Sequence, residues 1–164
     1  MHRDYIMRIM EQFIQAVLAI VMARKAKNFE EAFYQIQNAS QRYLLTDIAD
    51  FLKMSPEKLL EHFKENGKYI DIEQCIMCAE LLYETALIGD ALKQKDLSRI
   101  SKILSFHLYL NVIPIEKRFQ AHPYMDKVIE LKHDLENEVL PETVANSLVT
   151  YQKKDFCKPD SFKQ

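Results

Sequence analysis

Apolar residues recur three and four positions apart along most of this chain, and between Met1 and Asn66 there is no glycine and a single proline, Pro56. Unbroken spacing of this kind predicts amphipathic helices rather than strands. The first helix is expected from Asp4 to about Ala26, with Asp4 at its start and Arg24, Lys25 and Lys27 near its end, charges that complement the helix dipole. Its apolar positions, Ile6, Ile9, Met10, Phe13, Ile14, Val17, Leu18, Ile20 and Val21, cover more than one stripe. A helix apolar nearly all round is central in its fold or covered by a partner subunit. Phe13, Val17, Ile20 and Val21 are the residues expected to make a partner contact.

Asn28, followed three residues on by Glu31, reads as the capping box of a second helix whose inner face is Phe29, Ala32, Phe33, Ile36 and Ala39. A third, shorter helix is expected over Leu44 to Leu52. Ser55-Pro56 restarts the chain as a serine cap and a first-turn proline, with Leu59, Leu60 and Phe63 turned inward, and Gly67 stops that helix. Asp71 with Gln74 caps a long helix carrying Ile72, Cys75, Ile76, Ala79, Leu82, Ala86 and Leu87. Asp96 caps another, with Leu97, Ile100, Ile103, Leu104, Leu108 and Val112, which Pro114 ends. Pro123 and Pro141 stand where they would open two last helices, and from Gln152 onward no helical period remains. The pattern predicts one all-α domain over 1–151, with six to eight helices in antiparallel hairpins stacked around the apolar first helix, and a disordered tail over 152–164.

The length, 164 residues, fits one domain that can bury a core without metal or disulfide staples. With a formal net charge of −2 the chain has no overall positive field to draw it to nucleic acid. Glycine occurs only at Gly67 and Gly89, which argues against phosphate-cradling loops and nucleophile elbows, both of which rely on glycine at tight backbone positions. Cys75, Cys78 and Cys157 are too few and too odd in number for a disulfide scaffold, and they suit a reducing, cytoplasmic setting. The apolar run from Phe13 to Ala23 is expected to be neither a membrane span nor an export signal. Glu11 and Gln12 precede it, Arg24 and Lys25 follow it, and a span needs about 20 predominantly apolar residues.

Asp4-Tyr5-Ile6 with Arg8 and Ile9, Glu30-Glu31-Ala32, and Ala79-Glu80-Leu81-Leu82 with Glu84 resemble an uncharacterised family of small all-helical bacterial proteins, over about two-thirds of the chain up to around Val112. The resemblance implies a fold and no activity. Ala32, Ile36 and Ala39, and later Ile100, Leu104 and His107, are similar to the spacing of the second helix in tetratricopeptide hairpins, at twice that repeat's period. Asn66 stands where the copy between them should begin, so the resemblance implies hairpin geometry, tetratricopeptide-like or in an irregular bundle, without a regular array. The segment 47–64 resembles the helix-turn-helix of a bacterial transcription-activator family, with Ile48, Ala49, Leu52, Met54, Ser55, Leu59 and Phe63 at core positions. Glu57 and Glu61 on its outer face would repel phosphate, and Lys53 replaces the usual turn glycine or asparagine.

Candidate chemistry is sparse. Cys75 and Cys78, three apart on a helix, share a face that suits a metal or redox pair, but no second pair of ligands has zinc-site spacing. Glu130 and His133 form one Glu-x-x-His, an element that di-iron bundles use twice. His107 lies within an apolar stretch and reads as a core histidine with no nucleophile or carboxylate assignable beside it. Tyr34, Tyr43, Tyr69, Tyr83, Tyr109, Tyr124 and Tyr151 supply amphipathic side chains for a core or a groove. The sequence therefore leads to a non-catalytic scaffold or interaction module, with a protein partner or a homodimer and no cofactor. The alternatives are a DNA-binding regulator using 47–64 and a metal- or ligand-binding bundle.

Overall fold

The structure, a computed structural model, describes residues 2–154. Helix α1 (His2–Lys25) and helix α2 (Phe29–Leu44) form the opening hairpin. Lys27 turns the chain at φ 61°, and Asn28 Oδ1 accepts the Glu31 N–H at 3.3 Å, the cap that the sequence predicts. Leu45 takes φ 54° and its N–H bonds back to the Gln41 carbonyl, so α2 ends at Leu44. Helix α3 (Ile48–Leu52) is consequently shorter than the expected Leu44–Leu52 segment. Local bonds fix the intervening turn: Ser40 Oγ donates to the Thr46 carbonyl at 2.5 Å, and Gln37 and Gln41 both donate to Asp47 Oδ1.

Ser55 caps helix α4 (Pro56–His62), its hydroxyl accepting the Lys58 N–H at 3.2 Å. Beyond it lies an element absent from the sequence expectations, a two-stranded antiparallel hairpin of β1 (Lys64–Glu65) and β2 (Tyr69–Ile70). Asn66 and Gly67 sit at φ 54° and 69°, a left-handed pair that Asn-Gly forms readily, so Gly67 makes a hairpin turn as well as marking the end of helix. Helix α5 (Ile72–Ala91) follows, with Asp71 Oδ1 accepting the Gln74 N–H at 3.1 Å. Helix α6 (Lys95–Val112) begins one residue before the expected Asp96 cap. Two 3-10 turns, Ile113–Ile115 and Lys117–Phe119, lead to α7 (Tyr124–Asp134) and α8 (Glu142–Gln152), each immediately preceded by its expected proline. Helix α8 includes Gln152, and the tail expected to be disordered lies outside the described residues from 155 on.

The bundle is organised around α5 and α6 rather than α1. From Cys75 to Ala86 every residue of α5 is buried, and from Ser101 to Leu110 every residue of α6 except Lys102. Helices α1 and α2 pack on α5, while α4, α7 and α8 pack on α6. This corrects the expectation that the hairpins stack around the first helix. Helix α1, at one end of the described chain, is covered from one side by α2 and α5, whereas α5 and α6 receive neighbours from both directions along the sequence.

Small residues let α5 and α6 approach closely. Ser105 Oγ in α6 donates to the Ala79 carbonyl in α5 at 2.8 Å. A Cβ placed on Gly89 would lie 3.0 Å from the Ser98 backbone nitrogen and 3.2 Å from its Cβ. Helix propensity alone favours alanine over glycine by about 1 kcal/mol, but here the methyl group meets backbone. Gly89→Ala is expected to destabilise the protein by about 1–2 kcal/mol despite that gain, to be checked by urea unfolding; a stabilised variant would show that the hairpin has room to open.

Candidate functional site

Helix α1 turns Phe13 and Ile20 into the core, with Phe13 edge-on to the Tyr43 ring of α2 at a centroid distance of 5.5 Å. Two residues along a helix is a rotation of roughly 200°, so Leu18 is carried to the side away from Ile20. Met7, Ile14, Leu18 and Met22 remain 49, 45, 49 and 72% exposed, forming an apolar stripe along the outside of the bundle. Glu11, on this same face between Met7 and Ile14, and Lys25, one turn beyond Met22, are exposed, and neither is ion-paired among the described residues. Of the four residues expected at a partner contact, Phe13 and Ile20 are buried inside the protomer, and Val17 and Val21 are half-buried at the edge of the exposed face. The sequence shows that α1 has more apolar surface than one neighbour can cover; it does not show which stripe the fold leaves uncovered.

The C-terminal end of α1 is pinned by charge. Arg24 Nη2 lies 3.3 Å from Glu84 Oε1 of α5, a carboxylate almost completely shielded from water. Glu84 Oε2 and Arg24 Nε have no hydrogen-bond partner among the described residues. Burial raises the Glu84 pKa above the usual carboxylate range, and the Arg24 charge opposes that rise without cancelling it.

One turn earlier in α5, Glu80 joins three helices. The Tyr109 hydroxyl of α6 donates to its Oε1, and Lys127 Nζ of α7 donates to its Oε2 at 2.7 Å. Lys127 also lies 5.0 Å from the centre of the Tyr83 ring, whose hydroxyl donates to Glu130 Oε2 at 2.7 Å. Burial first, and the neighbouring carboxylates second, hold the Tyr83 and Tyr109 phenols protonated well beyond their ordinary range. These bonds fix α7 on the α5–α6 hairpin. They leave Glu130 engaged by Tyr83, while His133 is exposed and 3.4 Å from Glu136.

The remaining candidates fall in the core or in packed helices. Cys75 and Cys78 are free thiols, fully buried, and burial pushes both pKa values up, away from the reactive thiolate. Cys157 lies outside the described residues. Among the described residues no three His, Cys, Asp or Glu side chains come together as a metal site requires. In the segment 47–64, α4 has seven residues and packs against α6 and α8, and Glu57 accepts a hydrogen bond from Thr143 of α8. Of the tyrosines, Tyr83, Tyr109 and Tyr151 are buried and Tyr43 and Tyr124 half-buried, leaving Tyr34 and Tyr69 at the surface with Tyr5. In the tetratricopeptide-like positions Ala32, Ile36, Ala39, Leu104 and His107 are buried, but Ile100 is exposed.

His107 is fully buried, and neither ring nitrogen has a hydrogen-bond partner among the described residues. Desolvation depresses its pKa from 6.5 to about 4, against a smaller opposing pull from Glu57. Comparison of the chain with protein-family models, curated proteins and solved structures finds no match.

Two outcomes follow from these buried groups. Because His107 stays neutral in the fold while the unfolded chain takes up a proton, stability is complete above pH 6.5. It is lost as pH falls from 6.5 through about 4, by up to about 3 kcal/mol. His107→Leu should flatten that acid limb in a pH series of urea unfolding; an unchanged limb would assign the loss to other groups. Removing the Arg24 charge with Arg24→Met leaves Glu84 buried and unpaired, at a cost of about 3 kcal/mol at neutral pH. A carboxyl whose folded pKa is raised is least penalised when protonated. The cost should therefore shrink as pH is lowered toward 4.5 and grow as it rises, which thermal melts across that range will read.

Proposed function

We propose that this protein is a non-catalytic helical scaffold that works by protein–protein association through the outer face of α1, with a second copy of the chain as its partner. The observation that carries the reading is the contiguous exposed apolar run of Ile14, Leu18 and Met22, with Met7 beyond Glu11 on the same face, on a helix whose opposite side is anchored in the core. Contiguous exposed apolar surface marks association sites, and homodimer interfaces are more apolar than the rest of a protein's surface. The helical-hairpin architecture, with its tetratricopeptide-like spacing at Ala32, Ile36 and Ala39, supports an interaction role. A non-catalytic reading is supported by the state of the candidate nucleophiles and bases: the Cys75 and Cys78 thiols and the His107 ring are buried away from any substrate. Buried, unpaired thiols also support a reducing, cytoplasmic setting.

One observation favours a second reading, association with a membrane. Helix α1 is long and apolar enough to cross a bilayer by length and composition. Insertion would strip Phe13 and Ile20 from the core and break the Arg24–Glu84 pair, which is why the dimer is preferred. The helix-turn-helix reading is disfavoured by Glu57 and Glu61 on the exposed side of α4, since a phosphate footprint needs donors there.

Light scattering coupled to size exclusion over a wide concentration range tests the proposal. A dimer population that grows with concentration is expected. Leu18→Glu, at an exposed position, should abolish the dimer while changing monomer stability by only about 0.5 kcal/mol or less. A monomer at every concentration would overturn the self-association reading.

A further inference from the structure

The charges that flank Ile14, Leu18 and Met22 on the outer face of α1 specify how two copies would meet. Resting on the self-association proposed above, we infer that the dimer is an antiparallel pairing of α1 with α1 of the second copy, with its two-fold axis at Leu18. Glu11 and Lys25 lie seven residues to either side of Leu18, and both are exposed and without ion-pair partners among the described residues. Antiparallel pairing about Leu18 therefore sets Glu11 of each copy against Lys25 of the other. Ile14 and Met22 obey the same symmetry, lying four residues to either side of Leu18 and so facing each other across the axis, while Met7 falls outside the pairing because its counterpart, position 29, lies beyond the end of α1. Leu18 meets Leu18 at the centre.

Parallel pairing in register sets like charges together, Glu11 against Glu11 and Lys25 against Lys25, while also aligning the two helix dipoles. A two-fold, self-complementary contact is the commonest symmetry of homodimers, and here one stripe supplies both halves of it. The exposed charges contribute little to affinity, because ion pairs at a wet rim are weak and screened by salt. Their effect is on orientation and register.

Charge reversal tests the register separately from the existence of the dimer. Glu11→Lys and Lys25→Glu, each alone, should weaken the dimer roughly tenfold at low salt. The double variant Glu11→Lys with Lys25→Glu should return to within about twofold of the parent, because the complementary pairs are re-formed with signs exchanged. A cysteine readout is independent of those charges. In a Cys157→Ser background, Leu18→Cys should oxidise to a disulfide-linked dimer; Glu11→Cys alone should not, but should link to Lys25→Cys when the two proteins are mixed. A dimer in which the double charge variant is no better than the singles, or in which Glu11→Cys links to itself, overturns the antiparallel register and leaves the self-association intact. A chain that stays monomeric and instead floats with phosphatidylcholine vesicles overturns both.

Discussion

The close approach of α5 and α6 is the constraint on which the rest of the bundle depends. Two helices can come within backbone contact only where their facing side chains are small, and Gly89 against Ser98, with Ala79 against Ser105, provides that at two levels of the hairpin. The tightness is local to the small residues; between them Leu82, Ile103 and Leu104, and beyond Ala79 and Ser105 the side chains of Ile76, Phe106 and Leu108, are buried in the surrounding core. With both faces of this hairpin covered, α5 is buried all round over Cys75–Ala86. Such a helix has no amphipathic stripe. Its position is set by the fit of its neighbours rather than by a boundary between core and solvent.

Apolar packing of this kind is tolerant of small slides and rotations, and the buried polar groups are what remove that freedom. Glu80 accepts from Tyr109 and from Lys127, so α5, α6 and α7 are joined at a single carboxylate with both oxygens engaged. Arg24 and Glu84 do the same for α1 and α5, less completely, since one oxygen of Glu84 is unmatched. Buried pairs of this sort often contribute little net stability compared with apolar substitutes, but breaking one is costly because a charge is then stranded. His107 is the opposite case, a polar ring taken into the core with no bond in return.

The surface of the molecule is shaped by the same arrangement. Because α5–α6 occupies the centre, α1 is left as an outer helix with more apolar surface than its two neighbours can cover. Ile14, Leu18 and Met22 are what remains, flanked by Glu11 and Lys25, with Met7 beyond Glu11. The anchoring contacts of Phe13, Ile20 and Arg24 hold that stripe on a helix that is already formed, so little ordering entropy opposes its use in association.

Local chemistry was readable without the fold. The caps at Asn28, Ser55 and Asp71, the prolines before α7 and α8, and the helical period throughout depend on residues within a few positions of one another, and the all-α class follows from them. The surplus apolar surface of α1 was also legible, as was the burial of His107, Cys75 and Cys78. The hairpin at Asn66-Gly67 had a local signal that the helical period around it obscured. What the tertiary structure alone decided was which helix is central and which stripe of α1 is exposed. Both α1 and α5 are apolar on more than one side, and for such helices periodicity cannot rank one face above another. The choice rests on contacts between residues far apart in the chain, Gly89 aside: Arg24 with Glu84, Phe13 with Tyr43, Lys127 with Glu80.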